Sequence, residues 1–283
     1  EMLATIGTPK FYYNSLRYFG EPTKKDIDNA RFIMFCEPFE EKEALSIDTK
    51  QAMLEFRKTI KEYGFDCKIA LTDKIISRIL VLNNKRTLYI HKNAKFAPSS
   101  LKALTQHEIG VHMVTTMNSL EQPLKIFHLG LPVFTQTQEG LAVLAEYYSG
   151  SMTLKRLKEL ALRVIAINSL GVENSFSKTF ALLKEEYKLD DQAAFTITSR
   201  TYRGGGFTKD FLYLRGLISM LKYKNSGKSI NNLLIGKTSL EYIDTINEMV
   251  ERGLLKKPKY ITASFKQEDN NNKNLKYIIS CLK

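Results

Sequence analysis

An α+β fold is predicted by three features: β-branched and aromatic runs confined to residues 67–97, apolar residues at helical spacing on either side of them, and turn residues at the junctions. Between 48 and 63, Met53, Phe56, Ile60 and Tyr63 recur every three or four positions, which predicts one helix. The texture then changes. Lys68 to Leu71, Ile79 to Leu82 and Thr87 to His91 read as short strands, with Asn83-Asn84-Lys85 as the turn of one hairpin. Pro98-Ser99-Ser100 starts a helix in which Leu101, Leu104, Ile109 and Val114 mark the buried face as far as about residue 117.

A loop over 119–137, containing Pro and Gly, leads into helical patterns at 138–149, 153–169, 174–187, 190–201 and 208–224. The Asn-rich stretch 268–274 reads as a turn between two terminal strands at about 260–283. One compact domain over 1–283 is expected, with a sheet-containing part to about 97, a helical part from 98 to about 260, and the terminal strands. The 43% hydrophobic content is that of an ordinary globular chain.

No run of about eighteen apolar residues occurs, and the opening Glu1-Met2-Leu3-Ala4-Thr5-Ile6-Gly7 lacks the charged-then-apolar order of a secretory signal. A soluble cytoplasmic protein with no membrane partner is expected; an opening Glu in place of Met also fits an excised domain. Cys36, Cys67 and Cys281 are odd in number and form no Cys-x-x-Cys pair, so reduced structural thiols are expected. The net charge of +12 favours acidic partners. Nucleic acid, acidic peptides and anionic lipid all qualify, but the excess is spread as single residues and pairs such as Lys24-Lys25 and Lys256-Lys257, which fits a solvated basic surface equally well.

Residues 107–112 read His-Glu-Ile-Gly-Val-His, one residue longer than the His-Glu-x-x-His of common zinc peptidases. In a regular α-helix, positions five apart lie about 140° from eclipsed and do not converge on one ion. A π-type turn of about 4.4 residues absorbs the extra residue, and Gly110 lowers the cost of that distortion. Neutral imidazoles bind zinc through nitrogen, while a carboxylate beside the first ligand reaches the water on the metal without occupying the metal. Glu108 is that carboxylate, expected to take a proton from water whose pKa zinc lowers to about 7 and to return it to the leaving amine.

The chain has only 4 histidines, so two at this spacing carry weight, although six residues alone also fit an ordinary surface helix. The expected third ligand is Glu139 in Gln138-Glu139-Gly140-Leu141-Ala142, opening the next helix. His128, in the connecting loop, is the alternative, but Phe127 and Leu129 beside it read as packing residues. Glu146 lies seven residues further along the same helix face and fits better as an acid orienting one imidazole.

These segments resemble the tubulin tyrosine carboxypeptidases associated with microtubules and their bacterial relatives, the flavohaemoglobin expression-modulating QEGLA-motif proteins. The resemblance rests on His107 to His112, on Gln138 to Ala142, and on Arg203 to Gly216, which matches a later Arg-Gly and Lys-Asp-x-x-Tyr-Leu region; it extends over most of residues 7–260. It implies a zincin-like metallopeptidase, a small sheet on a mainly helical body with the active-site helix following an edge strand. It further implies one zinc per chain on His107, His112 and Glu139, with Glu108 as acid/base. The implied reaction releases a C-terminal residue, tyrosine or another aromatic, from a peptide or protein tail. Gln138 stands where the eukaryotic members carry Glu, and Gly204 to Gly206 is nearer the bacterial form, so tubulin is the implied partner only for a eukaryotic source.

Thr201 to Asp210 is a Gly-rich stretch feeding a helix, with Thr208 as the expected N-cap. Free amides around Gly205, with Arg203 and Lys209, would receive a substrate's terminal carboxylate, and Tyr213 would hydrogen-bond the substrate. The same residues also read as a connector with solvated cations. Two rival functions also fit the sequence. A basic nucleic-acid-binding regulator with a structural metal predicts steep salt dependence and a closed coordination shell. An aminopeptidase needs an acidic cluster for a free amine.

Overall fold

Two helices, α1 (Pro9–Phe19) and α2 (Lys24–Phe35), precede α3 (Thr49–Tyr63) and the strands β1 (Lys68–Thr72), β2 (Ile79–Leu82) and β3 (Thr87–His91). Then come α4 (Pro98–Leu104), a π-helical segment (Thr105–Met113), α5 (Val114–Leu120), α6 (Ile126–Leu129) and α7 (Phe134–Tyr148). The remainder is helical: α8 (Leu154–Glu173), α9 (Phe176–Glu185), α10 (Asp191–Tyr202), α11 (Leu212–Asn225), α12 (Ile243–Glu251) and α13 (Lys273–Ser280). This computed structural model describes residues 1–39, 43–75, 77–267 and 271–283. Among them no helix is long and apolar enough to cross a membrane.

Packing gathers the chain into two compact units. The first comprises Glu41–Met152 and Ser219–Asn272. In it β3 pairs with β1 in parallel and with β2 in antiparallel register, giving the order β1-β3-β2. The strand before the active-site helix is therefore central, which corrects the expected edge position. Leu88 and Ile90 of β3 are fully buried while Leu71 of β1 and Leu80 of β2 are exposed. A strand covered along its length belongs in the middle, where both of its hydrogen-bonding edges are satisfied.

An Asp48/Gln51 capping box starts α3, and Gly64 in the left-handed conformation ends it. The helix lays Ala52, Phe56 and Ile60 into a core with Leu88, Ile90, Phe96 and Leu101. Ile109 and Met113 of the π segment complete that core, so the segment is clamped by packing on one side.

Glu1–Glu40, Thr153–Ile218 and Lys273–Lys283 form the other unit. A Thr23/Asp26 capping box opens α2, and Asp26 also accepts from Arg215 Nε at 3.2 Å. Leu162 and Ala166 of α8 pack with Leu183 of α9 and Ala194 of α10.

The terminal strands expected at about 260–283 are replaced by a 3₁₀ turn, Ala263–Lys266, and by α13. Leu275, Ile278 and Ile279 are buried, an i, i+3, i+4 stripe that belongs to a helix. Residues 268–270 of the Asn-rich turn lie outside the described residues.

Candidate metal centre

All nine residues Thr105–Met113 are π-helical, a longer distortion than the single turn that the spacing required. At about 4.4 residues per turn, His107 and His112 return to one face while Ile109 points away toward the core. The imidazole centroids lie 4.9 Å apart.

Local hydrogen bonds support the altered ladder. Thr105 Oγ1 donates to Leu101 O at 2.8 Å, and Thr115 and Thr116 donate to His112 O at 3.1 and 2.8 Å. In the middle of the segment, Gly110 O accepts from Thr262 Oγ1 at 2.7 Å. A Cβ at Gly110 would stand 3.2 Å from Gln106 Oε1 and 3.6 Å from the Tyr63 hydroxyl, which itself accepts from Ala263 N–H at 2.9 Å. Thr262 and Tyr63 carry no local signal of this role, because their partners lie far off in sequence.

Helix α7 begins at Phe134, four residues before the start read from the sequence, so Glu139 sits in its second turn rather than opening it. Phe134-Thr135-Gln136-Thr137 reads as loop in isolation. Tertiary contacts decide otherwise: Thr137 Oγ1 accepts from Leu240 N–H at 2.8 Å, and Gln138 Nε2 donates to Gly236 O at 3.2 Å.

Glu139 Oε2 is 3.5 Å from His107 Nε2 and 3.6 Å from His112 Nε2. One donor atom from each of the three residues falls within 4.8 Å of the others. On the far edge of the first imidazole, Nδ1–H of His107 donates to Glu146 Oε1 at 2.7 Å, which directs Nε2 toward Glu139. His128 is not part of this group; its Nδ1 pairs with Ser119 Oγ at 3.0 Å. Glu108 follows His107 and is half-buried.

Burial works against a charge on His107, but hydrogen bonding to Glu139 and Glu146 and the negative charges of Glu146 and Glu108 outweigh it, raising the imidazole from 6.5 to about 9. The pocket is built to hold positive charge. Two imidazole nitrogens and one carboxylate oxygen form the His2Glu donor set that zinc takes in hydrolytic sites, so the residues fit that metal. His112 is the most exposed of the three, 17% against 7% and 8%, and marks the side open to solvent.

Arg203, Gly205, Lys209 and Tyr213 belong to the other unit. There Gly204 O accepts from Gly7 N–H at 2.8 Å, and a Cβ at Gly204 would lie 2.8 Å from the Phe11 ring. At Gly205 it would lie 3.1 Å from Thr8 O. The glycines thus let this backbone approach α1 closely. The amides of Gly206, Phe207 and Thr208 bond Arg203 O, Thr201 O and Ser15 Oγ, which corrects the expected row of free amides there. Thr208 is not an N-cap: it begins a 3₁₀ turn, and its hydroxyl lies 3.2 Å from both Ser15 O and Ser15 Oγ. Arg203 donates to Asp210 at 3.3 Å and lies over Phe207, and Lys209 Nζ stands 5.6 Å over the Tyr213 ring.

Compared with known proteins, residues 1–283 match the model of a family described as microtubule-associated tyrosine carboxypeptidase. Microtubule-associated tyrosine carboxypeptidase 1 of Rattus norvegicus is 25% identical over 225 residues, 75% of this chain and 46% of the relative. The Homo sapiens protein of the same name is 27% identical over 189 residues, 62% of this chain and 39% of the relative. The chain spans less than half the length of these curated relatives.

Proposed function

Because the chain belongs to the microtubule-associated tyrosine carboxypeptidase family, we propose that it is a zinc-dependent carboxypeptidase of zincin-like fold, removing a C-terminal residue, tyrosine or another aromatic, from peptide or protein tails. The observation that carries this reading is the convergence of His107 Nε2 and His112 Nε2 on one oxygen of Glu139, at 3.5 and 3.6 Å, across a five-residue spacing. Helix distortion of this kind is concentrated at functional sites.

In this proposal His107, His112 and Glu139 hold the metal. When bound, zinc supplies a Lewis acid that polarises a carbonyl and brings the pKa of water to about 7. Glu108 holds the proton released by the attacking water on its carboxylate and passes it to the amide nitrogen of the departing residue. Glu146 keeps His107 in the tautomer whose Nε2 is a ligand. A tubulin tail is the proposed substrate only if the source is eukaryotic.

The test pairs zinc content with peptide cleavage. Zinc-loaded protein is expected to release the last residue of tyrosine-ended peptides and to leave C-terminally amidated peptides intact. Glu108→Gln is expected to keep its zinc and lose about 100-fold or more in rate, the scale of a lost general base. Full activity in Glu108→Gln overturns the assignment of the base, and absence of release from any free C-terminus by the zinc-loaded wild type overturns the function.

A further inference from the structure

In the second unit, the Arg203, Lys209 and Tyr213 expected to meet a substrate carboxylate belong to a larger cationic cluster that also holds Arg156, Arg163 and Arg200. Arg163, in the middle of α8, makes no hydrogen bond and no ion pair among the described residues; its guanidinium lies over the Tyr213 ring, 5.1 Å from the centroid. Arg200 and Arg203 are engaged with the buried carboxylate of Asp210, at 2.7 and 3.3 Å. Arg156 lies 3.5 Å from Glu159, and Lys209 Nζ stands over the same tyrosine ring as Arg163.

Within this cluster Arg163 is the side chain with no hydrogen-bonded carboxylate among the described residues. Asp210 is near enough to attract Arg163, but its oxygens accept from the other two arginines. Burial together with the charges of Arg156 and Arg200 depresses the Arg163 pKa, and the attraction of Asp210, shared with two other arginines, does not offset them. A guanidinium stacked on an aromatic ring has its orientation fixed while its in-plane N–H groups stay able to grip an oxyanion at two points.

We propose that this cluster is an oxyanion-binding site, in which Arg163 is the principal donor, Tyr213 orients it, and a carboxylate or phosphate group is the ligand. Arg156 and Arg163 are seven residues apart on one face of α8, so two of the five cations form one helix stripe.

The test uses the full chain in buffer free of phosphate and sulfate. Phenylglyoxal modification of each arginine is followed by mass spectrometry with no addition, with inorganic phosphate, with an acidic peptide bearing a free C-terminus, and with that peptide amidated. Modification of Arg163 is expected to slow several-fold with an oxyanion. Protection by phosphate alone identifies a phosphate ligand, and protection by the free-ended but not the amidated peptide identifies a terminal carboxylate; either supports the site. Arg163→Gln, checked for native circular dichroism, is expected to weaken the protecting ligand about 10-fold, the equivalent of one charge-assisted hydrogen-bonded contact. Arg163→Lys should recover part of the affinity. Unchanged modification of Arg163 in the presence of every oxyanion overturns the proposal without any variant, as does undiminished affinity in Arg163→Gln.

Discussion

Replacing Glu146 by Gln keeps the shape of the side chain and removes the charge that faces His107. The bond it weakens is 2.7 Å long, and the Glu146 side chain is only 1% exposed, so solvent does not screen the change. A hydrogen bond to a charged group contributes about 1.5–3 kcal/mol and a neutral one about 0.5–1.5, so the expected loss is about 1.5 kcal/mol, or a tenfold weaker hold on zinc. Partners that orient metal-bound histidines typically change affinity by about 10–100-fold, which agrees. The assay is competition for zinc against a chromogenic chelator. Glu248→Gln serves as the control, because that carboxylate pairs with Arg252 on the surface with its side chain 63% exposed, and removing it is expected to change nothing. A Glu146→Gln protein that holds zinc as tightly as the wild type would show that packing alone orients His107.

The π segment gives a second prediction: Thr262→Val leaves Gly110 O buried without its 2.7 Å donor and should destabilise the protein by about 1–3 kcal/mol in urea unfolding, while Thr262→Ser should not. Equal stability of all three would mean that the segment needs no support there. Val133, the N-cap of α7, is a β-branched residue at φ 53° and is 51% exposed, so Val133→Asn is expected to raise the melting temperature by relieving about 1 kcal/mol of backbone strain. A lower melting temperature would count against strain at this position. Burial alone would raise the Asp26 carboxyl, but hydrogen bonds from Arg215 and Thr23 hold it below its ordinary 3.8. Its contribution to stability is therefore complete above 3.8 and is lost as pH falls through the lower folded value. Asp26→Asn should be destabilised at neutral pH and approach the wild type in acid; a gap that stays constant across that range contradicts the assignment.

Much of this architecture is legible locally. The 48–63 reading corresponds to α3 because its capping box and closing glycine are all contained in Asp48 to Gly64. The three strands were readable from side-chain type, since β-branched or aromatic residues recur in each: Ile69 and Thr72, Ile79 and Val81, and Thr87, Tyr89 and Ile90. Their order was not, because β1-β3-β2 depends on which strand the core covers. The terminal segment misled for a related reason: Tyr277-Ile278-Ile279 looks like a strand until Leu275 is seen to share its buried face.

At the metal centre, the sequence by itself determined the residue types, and it determined that a helix carrying both histidines had to be distorted, because angular spacing along a helix is a local property. Only the tertiary structure decided that the distortion spans Thr105–Met113, that Thr262 supports it from 152 residues away, and that Glu139 and Glu146 approach His107 from opposite edges. Those contacts arise from the burial of Ile109 and Met113 on one side and of α7 on the other, and no local pattern encodes which distant helix a buried face will meet.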